Sequence, residues 1–284
     1  MAQTDSAPSR RARLKRLIAA IAIVVVGRTQ PACASARVWE EEAFDRSVPI
    51  GELAAVRISN TNGAVRVTGE AGARAISIRA TKRAGASTAD QARAALADVA
   101  ITITPHDGTL EVRSEYPSGG NSVSYQVNYE ISVPPSFTVE AVTVNGAVDA
   151  RAVAAADLES TNGAVSASGV NTVTASTMNG AVDVDSASGP LRLRTTNGSV
   201  RARMVPPIRE VSIETTNGRV SLEIADGANA DLDVSVVNGS TRLEGIALRD
   251  SRQDWHRLRG TIGEGGTPIR IATVNGEVTV RRGR

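Results

Sequence analysis

Apolar and polar residues alternate with a period of two on both sides of an Asn-Gly pair that recurs through the chain. The pair stands at Asn62-Gly63, Asn145-Gly146, Asn162-Gly163, Asn179-Gly180, Asn197-Gly198, Asn217-Gly218, Asn238-Gly239 and Asn275-Gly276. Counting from each Asn, position +3 is Val65, Val148, Val165, Val182, Val200, Val220, Thr241 and Val278. Position −4 is Ile58, Ala141, Leu158, Ala175, Leu193, Ile213, Val234 and Ile271. Positions −6 and +5 are apolar in every copy, whereas +4 is mostly charged or hydroxyl-bearing, as in Arg66, Asp149, Asp183 and Arg201. This alternation makes two short, half-buried strands per copy, with both apolar faces toward one interior.

The last seven copies are spaced 17, 17, 18, 20, 21 and 37 residues apart, which is the signature of a repeat architecture. The expected fold is all-β: a parallel β-solenoid with two short strands per 17–21-residue rung and the Asn-Gly turns stacked in a column. The alternative is an antiparallel β-sandwich of hairpins, because Asn-Gly is also the strongest short-range type I′ hairpin signal. One template kept through every copy favours stacking. Glycine is expected at the turn for a positive φ, and stacked asparagines are expected to hydrogen-bond along the column, satisfying buried polar groups at the bend. Position −2 (Asn60, Thr143, Ser160, Thr177, Thr195, Thr215, Val236, Thr273) shares the inward parity, so small hydroxyls line the turn.

Elsewhere the pattern changes. Ala92, Ala95, Leu96 and Val99 recur at helical spacing behind Ser87 and Thr88, so one short helix is expected near residues 88–98. Tyr116-Pro117-Ser118-Gly119-Gly120-Asn121 reads as an exposed loop. The 37-residue interval carries an insertion, Ile246 to Thr267, ending in Gly263-Glu264-Gly265-Gly266.

The first 36 residues read as an export signal: Arg10, Arg11, Arg13, Lys15 and Arg16, then the apolar run Leu17 to Gly27, then Ala34-Ser35-Ala36. The run of 11 residues is too short to span a bilayer, which takes about 20, so no transmembrane segment is expected after cleavage. Residues 37–284 are then one solenoid domain: N-terminal strands with the helix (37–136), regular repeats (137–245), the insertion (246–267), and the last rung and tail (268–284). The +2 formal charge misleads, since the signal holds six basic residues and one acid, leaving +2 − 5 = −3. No basic field remains to suggest nucleic acid as partner. Cys33, the only cysteine, lies in the signal, which leaves no thiol for a disulfide or a metal. Aromatic residues make up 2%, so the core must be built from small and β-branched side chains.

Ser59-Asn60-Thr61-Asn62-Gly63-Ala64-Val65, Ser160-Thr161-Asn162-Gly163-Ala164-Val165 and Thr215-Thr216-Asn217-Gly218-Arg219-Val220 resemble the repeats of the putative-adhesin family of bacterial envelope domains. Tyr129-Glu130-Ile131-Ser132-Val133-Pro134 and Gly263-Glu264-Gly265-Gly266-Thr267-Pro268-Ile269-Arg270 extend the resemblance to roughly residues 45–282. It implies a right-handed β-helix-like fold and an exported location. It brings no catalytic residues, and some relatives act in envelope-stress responses.

Candidate chemistry is sparse. His106 and His256 each stand alone, His106 in a turn and His256 beside Trp255 in the insertion. Asp183 with Asp185, and Asp231 with Asp233, are paired carboxylates of the kind that cleave glycosides, although such pairs on an outer strand face are ordinarily solvated charges. Asp226-Gly227-Ala228-Asn229-Ala230-Asp231 has the wrong spacing for an EF-hand and reads as an Asp-Gly turn. No nucleophile elbow, phosphate loop or zinc motif follows the signal. The expectation is therefore a non-catalytic envelope protein without cofactor or metal, binding glycan, cell wall or an envelope protein through its solenoid surface. The alternatives are a carbohydrate-active enzyme and an envelope-stress regulator. The sixteen Asn-Gly residues are expected to form a structural turn column, with function on the variable outer faces or the insertion.

Overall fold

In the computed structural model, residues 37–117 and 123–283 are described. The export signal expected at residues 1–36 and the tip of the loop expected after Tyr116 lie outside the described residues. The chain forms β1 (Val38–Pro49), β2 (Ala55–Ser59), β3 (Val65–Gly69), β4 (Ala75–Ala86), helix α1 (Ala89–Ala97), β5 (Ala100–His106), β6 (Thr109–Glu115) and β7 (Ser124–Val133). The regular repeats follow as pairs. They are β8 (Thr138–Asn145) with β9 (Val148–Arg151), β10 (Ala155–Asn162) with β11 (Val165–Ser168), and β12 (Thr172–Asn179) with β13 (Val182–Ala187). Then come β14 (Leu191–Asn197) with β15 (Val200–Met204), and β16 (Val211–Asn217) with β17 (Val220–Ile224). β18 (Ala230–Glu244) runs unbroken through its Asn-Gly, β19 (Arg249–Gln253) and β20 (Arg257–Ile262) make a hairpin, and β21 (Pro268–Arg282) again runs unbroken.

The strands before each Asn stack in parallel as one column: β6, β2, β8, β10, β12, β14, β16, and the first halves of β21 and β18. Those after each Gly form a second column: β7, β3, β9, β11, β13, β15, β17, and the second halves of β21 and β18. The register sets Asn on Asn at each step, so the strands flanking a given Asn-Gly pair with neighbouring rungs. The fold is a solenoid of parallel rungs. Antiparallel pairs occur at the two ends, as β1–β4–β7 and β5–β6 at one and β18–β20–β19 at the other. Between the columns lies a thin aliphatic core in which Ala141, Leu158, Ala175 and Leu193 alternate small and large up the stack, all buried. Helix α1 starts where expected: Thr88 caps it, its side chain accepting from the Gln91 amide at 3.3 Å. It packs Ala95 and Leu96 on Ala84.

The order of rungs in space departs from the order in sequence. β21, expected as the last rung, lies between the rung of Asn217 and the rung of Asn238. The insertion is the detour that brings the chain back to enter there. It also moves the end of the stack from Asn275 to Asn238.

The turn glycines correct a second expectation. Among the eight, only Gly63, Gly239 and Gly276 have positive φ, at 119°, 155° and 158°. The common reason for glycine is close approach. A Cβ added at Gly146, Gly163, Gly180, Gly198, Gly218 or Gly276 would lie 1.9–2.1 Å from the carbonyl oxygen of the glycine one rung below, and at Gly239 1.8 Å. No side chain fits that gap.

The asparagines hydrogen-bond along the column, as expected, but on its outside and not at a buried bend. Each Nδ2 donates to the Oδ1 one rung below, from Asn145 to Asn62, Asn162 to Asn145, Asn179 to Asn162, Asn197 to Asn179, Asn217 to Asn197, Asn275 to Asn217 and Asn238 to Asn275, at 2.8–3.0 Å. This amide ladder runs along the outside, because the asparagines are exposed apart from the half-buried Asn62. The inward glycine carbonyls are satisfied instead by the −2 hydroxyls. Ser160 donates to Gly146 at 2.9 Å, Thr177 to Gly163 at 3.0 Å and Thr195 to Gly180 at 3.0 Å. Thr215 and Thr273 are buried without a partner for the hydroxyl.

Two contrasts test this arrangement by chemical denaturation. Gly180→Ala is expected to cost about 3 kcal/mol or more, because its methyl meets backbone, and Asn179→Ala only about 1 kcal/mol. Thr177→Val is expected to cost about 1 kcal/mol, whereas Thr215→Val leaves the unfolding midpoint unchanged or raises it.

Candidate functional site

Outward positions on both columns carry ion pairs between adjacent rungs. Arg57 bridges Glu111 at 3.0 Å and Glu140 at 2.8 Å; Arg66 reaches Asp149 at 3.4 Å; Arg281 meets Glu223 at 2.6 Å. Three of the four carboxylates singled out in the sequence fall in this pattern, and Asp231 is held by a backbone amide instead. Asp183 accepts from Arg201 at 3.0 Å and Asp185 from Arg203 at 3.1 Å. Asp233 accepts from Arg257 at 2.7 Å, and Asp231 accepts from the Gly266 amide at 2.9 Å. Hydrogen bonding from Arg203 holds the Asp185 carboxyl below the usual carboxylate range, and Arg257 does the same to Asp233. Asp185 and Asp233 are thereby held ionised, and neither keeps a proton to give up near neutral pH.

The isolated candidates resolve into turns. His106 lies at the β5–β6 connection, Nε2 3.2 Å from Asp107, where Asp107 and Gly108 have φ of 47° and 70°. That is the positive-φ hairpin turn weighed for the Asn-Gly copies, found here instead. At Asp226, the carboxylate accepts from the Gly227 amide at 2.8 Å and meets Arg282 at 3.1 Å. Asn229 accepts from the Glu264 amide at 2.7 Å, so this segment clamps the glycine-rich end of the insertion.

The insertion builds the most distinctive surface. Beyond β18, the first column continues by two strands, β20 and β19, but β20 pairs only with Ala230–Ser235. The second column stops at the second half of β18. The end of the stack is therefore a step roughly 9 Å high, two strand spacings. At its inner corner lies a cleft of about 440 Å³ between Gly239, Ser240 and Thr241 on the floor and Gln253 to Leu258 on the wall.

The wall is held by a tight turn. The Asp254 carboxylate accepts from the amides of His256 at 2.9 Å and Arg257 at 2.8 Å, which holds this carboxyl below the usual range. The Asp254 amide donates to the Arg257 carbonyl at 2.9 Å. The Val236 amide donates to the His256 carbonyl at 2.8 Å, and the His256 Nδ1 lies 3.3 Å from the Val236 carbonyl. This geometry places Trp255 at the tip, 96% exposed. An indole left in water forgoes most of its burial energy, so its position is a constraint of the turn. Sequence pattern alone flagged the insertion and its Trp-His pair. The step was hidden, because it depends on β21 entering below β18.

A family model matches residues 47–281, nearly the whole span of the resemblance noted above, and its description is Toastrack DUF4097. The chain belongs to this family. Solved structures of similar outline include a putative cell adhesion protein from Clostridium sporogenes ATCC 15579, at 10% identity, 86% of this chain, 100% of that chain and TM-score 0.37. Another is a putative adhesin from Bacteroides fragilis NCTC 9343, at 14% identity, 85% of this chain, 97% of that chain and TM-score 0.37. A putative adhesin from Parabacteroides merdae ATCC 43184 matches at 12% identity, 86% of this chain, 97% of that chain and TM-score 0.24. At these values the likenesses carry no argument about function. No curated protein matches the chain.

The Toastrack rungs carry a pH signature at Asp233. A depressed folded pKa stabilises the fold above the ordinary carboxylate value of about 3.9, and that contribution is lost as pH falls through the folded value. Asp233→Asn is expected to flatten the fall of stability below about pH 4, measured as unfolding midpoint against pH.

Proposed function

We propose that this chain is an exported, non-catalytic, adhesin-like β-repeat protein of the cell envelope that binds through its solenoid surface. The observation that carries the reading is Trp255, presented 96% exposed by a hydrogen-bonded turn over a cleft lined mainly by polar groups. A flat indole beside hydroxyl and amide groups suits a glycan, a cell-wall strand or an envelope protein. Membership in the Toastrack family supports a repeat scaffold that works through its surface. No helix among the described residues is long and apolar enough to cross a membrane. The export signal read at residues 1–36 supplies the address in this proposal.

The enzyme alternative draws less support. Polysaccharide cleavage by paired carboxylates needs one that holds a proton, and Asp185 and Asp233 are both held ionised by arginines. Nothing in the outer faces favours the stress-regulator alternative.

The test is retention on purified peptidoglycan, envelope glycans and envelope-protein fractions. The protein is expected to be retained by one of these, and Trp255→Ala to weaken retention by about tenfold, in line with the loss of a central aromatic contact. Equal retention of Trp255→Ala moves the contact away from the step. Retention on none of the three removes the binding reading.

A further inference from the structure

The end rung presents a set of hydrogen-bonding groups that every other rung fills. The Gly amide of a rung donates to the Asn carbonyl of the next, as from Gly198 to Asn217 at 3.0 Å. The +3 amide donates to the next +2 carbonyl, as from Val200 to Arg219 at 2.9 Å. The Asn Oδ1 accepts from the next Asn, as Asn197 does from Asn217 at 2.8 Å. At Asn238 the equivalent groups are the Gly239 and Thr241 amides and the Asn238 Oδ1. Among the described residues no strand pairs with 237–244 on the side away from β21, because β20 ends opposite Ser235.

We propose that this open half-rung is a strand-addition site for an extended peptide of a partner protein that carries Asn-Gly. The peptide runs parallel to β18, its Asn over Asn238 and its Gly over Gly239, with apolar residues at +3 and +5. The proposal rests on the binding reading above and names the partner's chemistry. Three observations specify the occupant. The register places Asn on Asn at every step of the column. The spacing of successive glycines leaves 1.8–2.1 Å for a Cβ, so only glycine can follow the asparagine. The step blocks pairing before the Asn, so the peptide enters past Trp255 and His256 and adds only from its Asn-Gly onward. Main-chain bonds supply affinity and the glycine requirement supplies selectivity, as in other strand additions. An unpaired edge of this length is otherwise an aggregation hazard.

The probe is a fluorescent peptide copying residues 273–282, Thr-Val-Asn-Gly-Glu-Val-Thr-Val-Arg-Arg, titrated with the full protein and read by anisotropy. Saturable binding is expected. It should weaken by about tenfold or more when the peptide carries Gly276→Val, and equally when the protein carries Thr241→Pro, which removes an outward amide from the edge. Circular dichroism and the unfolding midpoint of Thr241→Pro should match the parent protein. No saturable binding, or undiminished binding of the Gly276→Val peptide, overturns the proposal. So does self-association, seen by sedimentation and abolished by Thr241→Pro, because a second copy then owns the edge. Glycan or cell-wall retention without peptide binding removes the strand site and leaves the broader binding reading standing.

Discussion

The whole stack depends on how closely successive backbones approach at the Asn-Gly corner. Each glycine carbonyl sits where the next glycine's side chain would be, so the corner is packed main chain on main chain. Such packing buries carbonyl oxygens that water cannot reach, and a buried acceptor left alone is costly. The −2 hydroxyls meet that need from inside the core, while the amide ladder holds register from outside. One corner therefore fixes three residue types at once. Turn, core edge and outer seam are a single device repeated along the stack.

The outer faces follow from the same spacing. Rungs stacked a strand apart bring like positions into contact, so a column of one charge would repel itself. The chain alternates sign instead, with Asp149 beside Arg66, Arg201 over Asp183 and Arg203 over Asp185. Exposed pairs of this kind add little stability each. Their effect is to leave long neutralised faces, and the open chemistry is concentrated where the stack ends.

Much of the fold was legible in the sequence because side-chain parity reports backbone geometry directly. Val148, Val165 and Val182 at +3 and Thr177 and Thr195 at −2 mark inward positions that the structure buries. The reason for glycine was not legible, since the close approach that Gly180 makes to Gly163 and the positive φ found at Gly63 leave the same letter in the sequence. Nor was the place of β21. Its pattern matches any rung, and only pairing with both Asn217 and Asn238 fixes its slot. The candidate surface inherits that gap: Trp255 was visible, but the step beneath it was not.

The placement of β21 ties a segment that follows β18 in sequence to a slot beneath it in the stack. Residues 268–282 close the space between β17 and β18, so both of those edges stay open until that segment has been synthesised. A chain cut short before that point loses an inner slice and strands the rung above it, instead of shedding a dispensable cap. Synthesis of β21 is thereby built into the fold as a condition of assembly, and a product cut short before it is marked by two exposed strand edges rather than one.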